Sequence, residues 1–191
     1  MRLFLALAGL TLWAGTAAVR TELVEGNPVS PVRVVIYTDL QESDCLRLRS
    51  ILDDKLLPKY GKRVAFVHRD FPLSRHDWAR QAAIAARWVV GQDPYLALVF
   101  RREILSEQQH LTAATLRPWL TEFAVRNKLD PQGIVAALSD RRLGSLVDQE
   151  YQGALARGVT TAPTIIIGNQ KFTDTILYED IARALDIELG R

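Results

Sequence analysis

Cys45 is the only cysteine in the chain, and Glu42 stands three residues before it in the stretch Gln41-Glu42-Ser43-Asp44-Cys45. An apolar run ends just ahead of this stretch and a leucine-rich helical pattern begins inside it. At such a strand-to-helix junction, free backbone N–H groups and the helix dipole favour negative charge, whether thiolate or carboxylate. A lone thiol there is either a single nucleophile for exchange with another molecule's disulfide or a buried, inert group. Cys45 lies a turn into the helix, where the dipole has faded, and its acidic neighbours Glu42 and Asp44 raise a thiol pKa that starts at about 8.5. Glu42 has three readings: an ordinary acidic first-turn residue, a permanently charged stand-in for an attacking thiolate, or a general base. The last would need a proton donor and a reacting centre, for which the sequence offers Ser43, Asp44 and the loop at Pro163.

Other chemistries lack their residues. His68, His76 and His110 are far apart and have no metal-ligand spacing with a cysteine or carboxylate cluster. His68, at the end of a strand, reads as structural. There is no Gly-rich phosphate loop and no G-x-S-x-G, so neither a metal nor a cofactor is expected. Of 191 residues, 24 are basic and 22 acidic, a net charge of +2 with no basic block, which argues against nucleic acid as a partner.

Residues 1–18 read as a signal peptide. Arg2 gives a positive start, Leu3 to Ala14 is apolar, and small residues follow before charge resumes at Arg20. The apolar stretch is too short to span a bilayer. Cleavage is expected after Ala17 or Ala18. The alternative is an uncleaved N-terminal anchor, the one route by which a membrane would be involved. Either way the protein is expected to be exported, to a periplasmic or extracellular space, where one cysteine cannot form an internal disulfide.

The elements that must position Cys45 and Glu42 follow from periodicity. Residues 19–31 read as an extended lead-in, 32–37 as a strand, 43–57 as a helix ended by Pro58, and 64–67 as a second strand. A helix is expected over 76–90, and another from Pro94 to Arg102. Thr115 and Asp130 are expected to cap two more, and a last one of the block runs over about 140–157. Residues 164–167 and 170–172 form a hairpin around Gly168-Asn169, and 178–189 a closing helix. Trp78, Trp88 and Trp119 fall in helical segments and are expected in the core.

The order is βαβ, a helical block, then a β-hairpin and a helix, a thioredoxin fold with helices inserted between its halves. Four stretches then resemble the DsbA-like thiol–disulfide oxidoreductases: Gly26-Asn27-Pro28 with Pro31-Val32; Tyr37-Thr38-Asp39-Leu40-Gln41; Arg69-Asp70-Phe71-Pro72-Leu73 followed by His76; and Gly158-Val159-Thr160-Thr161-Ala162-Pro163-Thr164 with the turn Gly168-Asn169. The resemblance covers residues 26–189, with the helical insertion at about 76–145. It implies an α/β fold with a central mixed sheet and an all-helical inserted subdomain.

That resemblance also assigns roles. Cys45 takes the second, resolving position of the family's C-x-x-C, and Glu42 occupies the first, the nucleophile position, leaving a degenerate motif. Pro163 takes the place of the family's cis-proline, and Ala162 the residue whose backbone pairs with an extended client peptide. Two functions stand open. One is thiol–disulfide exchange limited to Cys45, with a protein or peptide substrate and a partner thiol or glutathione. The other is a redox-inactive module that binds peptides at Ala162-Pro163.

Overall fold

The computed structural model describes residues 22–190, so the expected signal segment lies outside the described residues. Five strands form one mixed sheet in the order β1-β3-β2-β4-β5: β1 (Leu23–Gly26), β2 (Arg33–Thr38), β3 (Ala65–Asp70), β4 (Thr164–Ile167) and β5 (Gln170–Phe172). β2 and β3 are parallel, with Thr38 opposite Asp70, and the other pairs are antiparallel. α1 (Ser43–Ile51) follows β2. Five helices then separate β3 from β4, namely α3 (Ala79–Gln92), α4 (Pro94–Glu107), α5 (Leu116–Arg126), α6 (Pro131–Ala137) and α7 (Arg141–Leu155), and α8 (Tyr178–Glu188) closes the chain. This is the thioredoxin fold with an inserted helical block. No helix among the described residues is long and apolar enough to cross a membrane.

The period of two along β2 builds two cores. Val34 and Ile36 face one way, with Phe66, Ile165 and Ile167, and are covered by Leu48, Leu52 and Leu56 and by Ile181 and Leu185 of α8. Tyr37 faces the inserted helices and joins Phe71, Trp78, Phe100 and Phe123. Each such fully buried side chain contributes roughly 1.5–3 kcal/mol before entropy is counted. Trp78 is fully buried, while Trp88 and Trp119 pack against the core from partly buried positions.

Four expectations are corrected. The lead-in contains β1, which pairs with β3. Its pattern is disguised because Glu25, a charged residue, is one of its inward-facing side chains. Pro58 does not end the first helix. A π-helical stretch (Leu52–Leu56) precedes it and α2 (Leu57–Tyr60) continues beyond, so the missing N–H of Pro58 falls where the hydrogen-bond ladder has already slipped. The third helix begins at Ala79 rather than His76, because tertiary contacts hold residues 73–78 in a loop. The Gly168 turn has φ +54, a left-handed conformation that suits glycine. Asp130 caps α6 by accepting from Gln132 N at 2.9 Å. Thr115 instead turns its hydroxyl back to accept from Thr112 N at 2.8 Å.

Candidate functional site

The site is assembled where β2 runs out. Asp39, the first residue beyond the strand, has no exposure and organises the turn that follows. Its Oδ1 accepts from Gln41 N at 2.7 Å, and its Oδ2 accepts from Leu73 N at 2.7 Å and meets His76 Nδ1 at 2.8 Å. One short carboxylate thus ties the approach to α1 to the loop after β3. Gln41 repeats the link, donating through Nε2 to Asp77 Oδ1 at 3.0 Å and accepting from Trp78 N at 3.1 Å.

Glu42 is the N-cap of α1, with extended φ −87 and ψ 123, and its side chain makes no cap hydrogen bond. The carboxylate turns instead toward the loop, where it pairs with Arg75, while His76 Nε2 lies 4.0 Å from Oε2. Its side chain is only 14% exposed. Arg75 and His76 thus face Glu42 and Asp39 at the head of α1. The imidazole is oriented by its Asp39 contact, which places the proton of a neutral ring on Nδ1.

Cys45 lies at the third position of α1, its backbone N donating to Glu42 O at 3.0 Å. It is 2% exposed and packed in the core with Tyr37, Leu40 and Phe71. Burial pushes the thiol far above its ordinary range. The nearby Asp39 and Glu42 charges add to that, while a backbone hydrogen bond at Asp39 and the charge of Arg101 oppose it without prevailing. A thiol in this state presents almost no thiolate.

The Ala162–Pro163 peptide bond is cis. Thr164 Oγ1 donates to Thr161 O at 2.7 Å, and Thr164 pairs with Tyr37, which brings the loop beside the end of β2. Pro163 forms part of an open groove of about 440 Å³ whose other wall is the outer face of α1, with Asp44, Arg47, Leu48 and Ile51, and whose floor continues to Ile176 and Leu177 before α8. Leu177 is 50% exposed. Asp44 and Arg47 pair at 2.8 Å along the rim. The structure therefore brings Pro163 against the helix that carries Glu42 and Cys45, but the cysteine side chain does not line the groove. Ala162 as a whole residue is 4% exposed and packs in the core, and it does not line the groove.

Sequence reasoning passed over Asp39, Arg75 and the groove wall Asp174–Leu177, and treated His76 as a marker only. The stretches Tyr37-Thr38-Asp39 and Arg69–Leu73 with His76 held part of the signal, since two segments of one resemblance have to meet somewhere in space.

Behind Cys45 lie two buried ion clusters. Glu25 accepts from Arg49 Nη1 at 2.8 Å, lies 3.2 Å from His68 Nε2 and pairs with Arg102. Asp70 accepts from Arg101 Nη1 at 2.5 Å and Arg87 Nε at 3.0 Å. Glu150 joins it through Arg87 and accepts from Asp70 N at 3.0 Å. His68 is structural, as expected for a strand-end histidine: burial pushes its pKa down and keeps the ring neutral.

A mixed sheet, an inserted helical block and a helix N-terminus facing a proline loop define a thioredoxin-fold protein of the DsbA-like form. A family model described as Thioredoxin matches residues 18–187, and the chain belongs to that family. Among solved structures it is similar to BdbD from Bacillus subtilis in its oxidised form, with 21% identity over 89% of this chain and 94% of the other and a TM-score of 0.79. It is also similar to alpha-DsbA1 from Wolbachia pipientis, with 17% identity over 90% and 92% and a TM-score of 0.77. A third is the catalytic domain of ScsC from Proteus mirabilis, with 16% identity over 89% and 90% and a TM-score of 0.73. No curated protein matches the sequence significantly.

Proposed function

We propose that this is an exported, redox-silent member of the thioredoxin family that binds extended polypeptide segments in the groove beside Pro163. The observation that carries this reading is the pairing of a buried thiol with an open, mainly apolar groove on the same helix. Cys45 is 2% exposed and its pKa is driven up by burial, whereas Leu48, Ile51, Pro163, Ile176 and Leu177 give apolar lining to an open groove of about 440 Å³ in which side chains of an extended chain can be accommodated. Glu42, neutralised by Arg75, fills the nucleophile position with a group that cannot form a disulfide. Exchange through Cys45 alone, with a partner thiol or glutathione, would need a thiolate the burial suppresses. A further similar solved structure, alpha-DsbA2 of Wolbachia pipientis, is a thiol–disulfide exchange protein, and a protein or peptide client is carried over from that class. The reading is tested by NMR with a cysteine-free extended peptide: shifts confined to residues 44–51, 163 and 174–177 support it, and shifts centred elsewhere or absent sink it.

A further inference from the structure

We infer that a single buried water molecule is bound between Cys45 and Arg101, in the seam where the inserted helices meet the sheet and α1. The site is a narrow pocket with about 20 Å³ of space, walled by Ile36 and Thr38 of β2, Cys45 and Arg49 of α1, His68 of β3 and Arg101 of α4, with leucines completing the lining. Arg101 is 4% exposed. Its Nη1 donates to Asp70, but Nη2 is buried with no hydrogen-bond partner, the only such side-chain nitrogen or oxygen among the described residues. A buried guanidinium N–H left unsatisfied is costly, and such groups in folded proteins are met by protein or by ordered water.

Size and charge select the occupant. A cavity needs about 10–15 Å³ of probe space to hold one water, so this one admits a water and excludes sulfate, phosphate or any organic ligand. The cations that wall it are already matched, Arg101 to Asp70 and Arg49 to Glu25 and Asp53. His68 is held neutral against Glu25. A neutral, dipolar molecule therefore fits better than an anion. Arg101 Nη2 donates to it, and the Cys45 thiol, which lines the same pocket, supplies a weak donor or acceptor. The water joins the Asp70 cluster, through Arg101 of α4, to the Cys45 thiol on α1. It also gives the lone cysteine a place in the structure that needs no redox chemistry.

A crystal structure of the full exported chain at a resolution that shows ordered solvent is the direct test. The expected result is one peak within hydrogen-bond distance of Arg101 Nη2, with no anomalous signal. An empty cavity, a chloride, or Nη2 turned onto a protein acceptor overturns the inference. In solution, oxygen-17 relaxation dispersion counts long-lived internal waters. The amplitude in wild type is expected to fall by one water in Arg101→Met. An unchanged amplitude in a folded variant overturns the inference, and should that variant fail to fold, the wild-type crystal decides alone.

Discussion

His76 Nδ1 lies 2.8 Å from Asp39 Oδ2, and through this contact the loop after β3 is fastened to the turn that begins α1. The same oxygen accepts from Leu73 N. The surface presented at the head of α1 is thus held by residues more than thirty positions away in sequence.

Asp39→Ala removes an acceptor at a fully buried position and leaves the Leu73 N–H without its partner. A loss of about 3 kcal/mol is expected, read as a lower denaturant midpoint with an unchanged slope. His76→Ala, at a partly exposed ring, is expected to cost about 1 kcal/mol by the same measurement.

Cys45 should be silent in the native state. A colorimetric thiol reagent is expected to react with less than one-tenth of the protein in a time that labels it fully in strong denaturant, since the thiol is 2% exposed and its pKa is raised by burial. Prompt native labelling would revive exchange through this residue.

Acid should destabilise the fold in two stages. Burial raises the Glu25 carboxyl, but the hydrogen bond from His68 and the charge of Arg49 outweigh it and bring the pKa from 4.5 to about 2. The folded state therefore binds fewer protons than the unfolded one below pH 4.5. The stabilisation is fully present above 4.5 and is lost as pH falls from there to about 2, on the order of 3 kcal/mol. His68, whose pKa is lowered from 6.5 by burial, begins a separate loss below that pH. Denaturant midpoints against pH should show both, and Glu25→Gln should flatten the lower stage.

Much of the fold was legible in local pattern. The apolar run 32–37, the Asp130-Pro131 cap and the Gly168-Asn169 turn each encode their element within a few residues. β1 was not, because Glu25 faces inward only by virtue of Arg49, His68 and Arg102, all distant in sequence. The path of the helix through Pro58 depends on a π-turn that no propensity signals. At the site, the residue types of Glu42 and Cys45 were readable, but the burial of Cys45 and Ala162 is set by the core cluster they share with Tyr37 and Phe71, distant in sequence from one or both. The Arg75–Glu42 pair spans separate loops and left no local mark.

Glu42→Cys should restore chemistry. The variant places a thiol at the helix N-cap three residues before Cys45. Oxidation is expected to remove two hydrogen atoms from its mass as the 42–45 disulfide forms, and the reduced dithiol is expected to reduce a model protein disulfide, becoming that disulfide itself. The wild type, with no second thiol to resolve a mixed disulfide, should show none above background. Rapid turnover by the wild type without added small thiol would contradict the assignment of Glu42.

The central claim, that clients bind beside Pro163 without using the thiol, is tested most directly by titrating a reduced, carboxymethylated and so permanently unfolded protein into wild type, Cys45→Ser and Leu177→Glu. Leu177 is half exposed on the groove, so its replacement leaves the fold intact while placing charge on the apolar floor. The account predicts binding by wild type, a Kd within about twofold for Cys45→Ser, and weakening of about tenfold, or 1.4 kcal/mol, for Leu177→Glu. Loss of binding in Cys45→Ser with Leu177→Glu unaffected would contradict it.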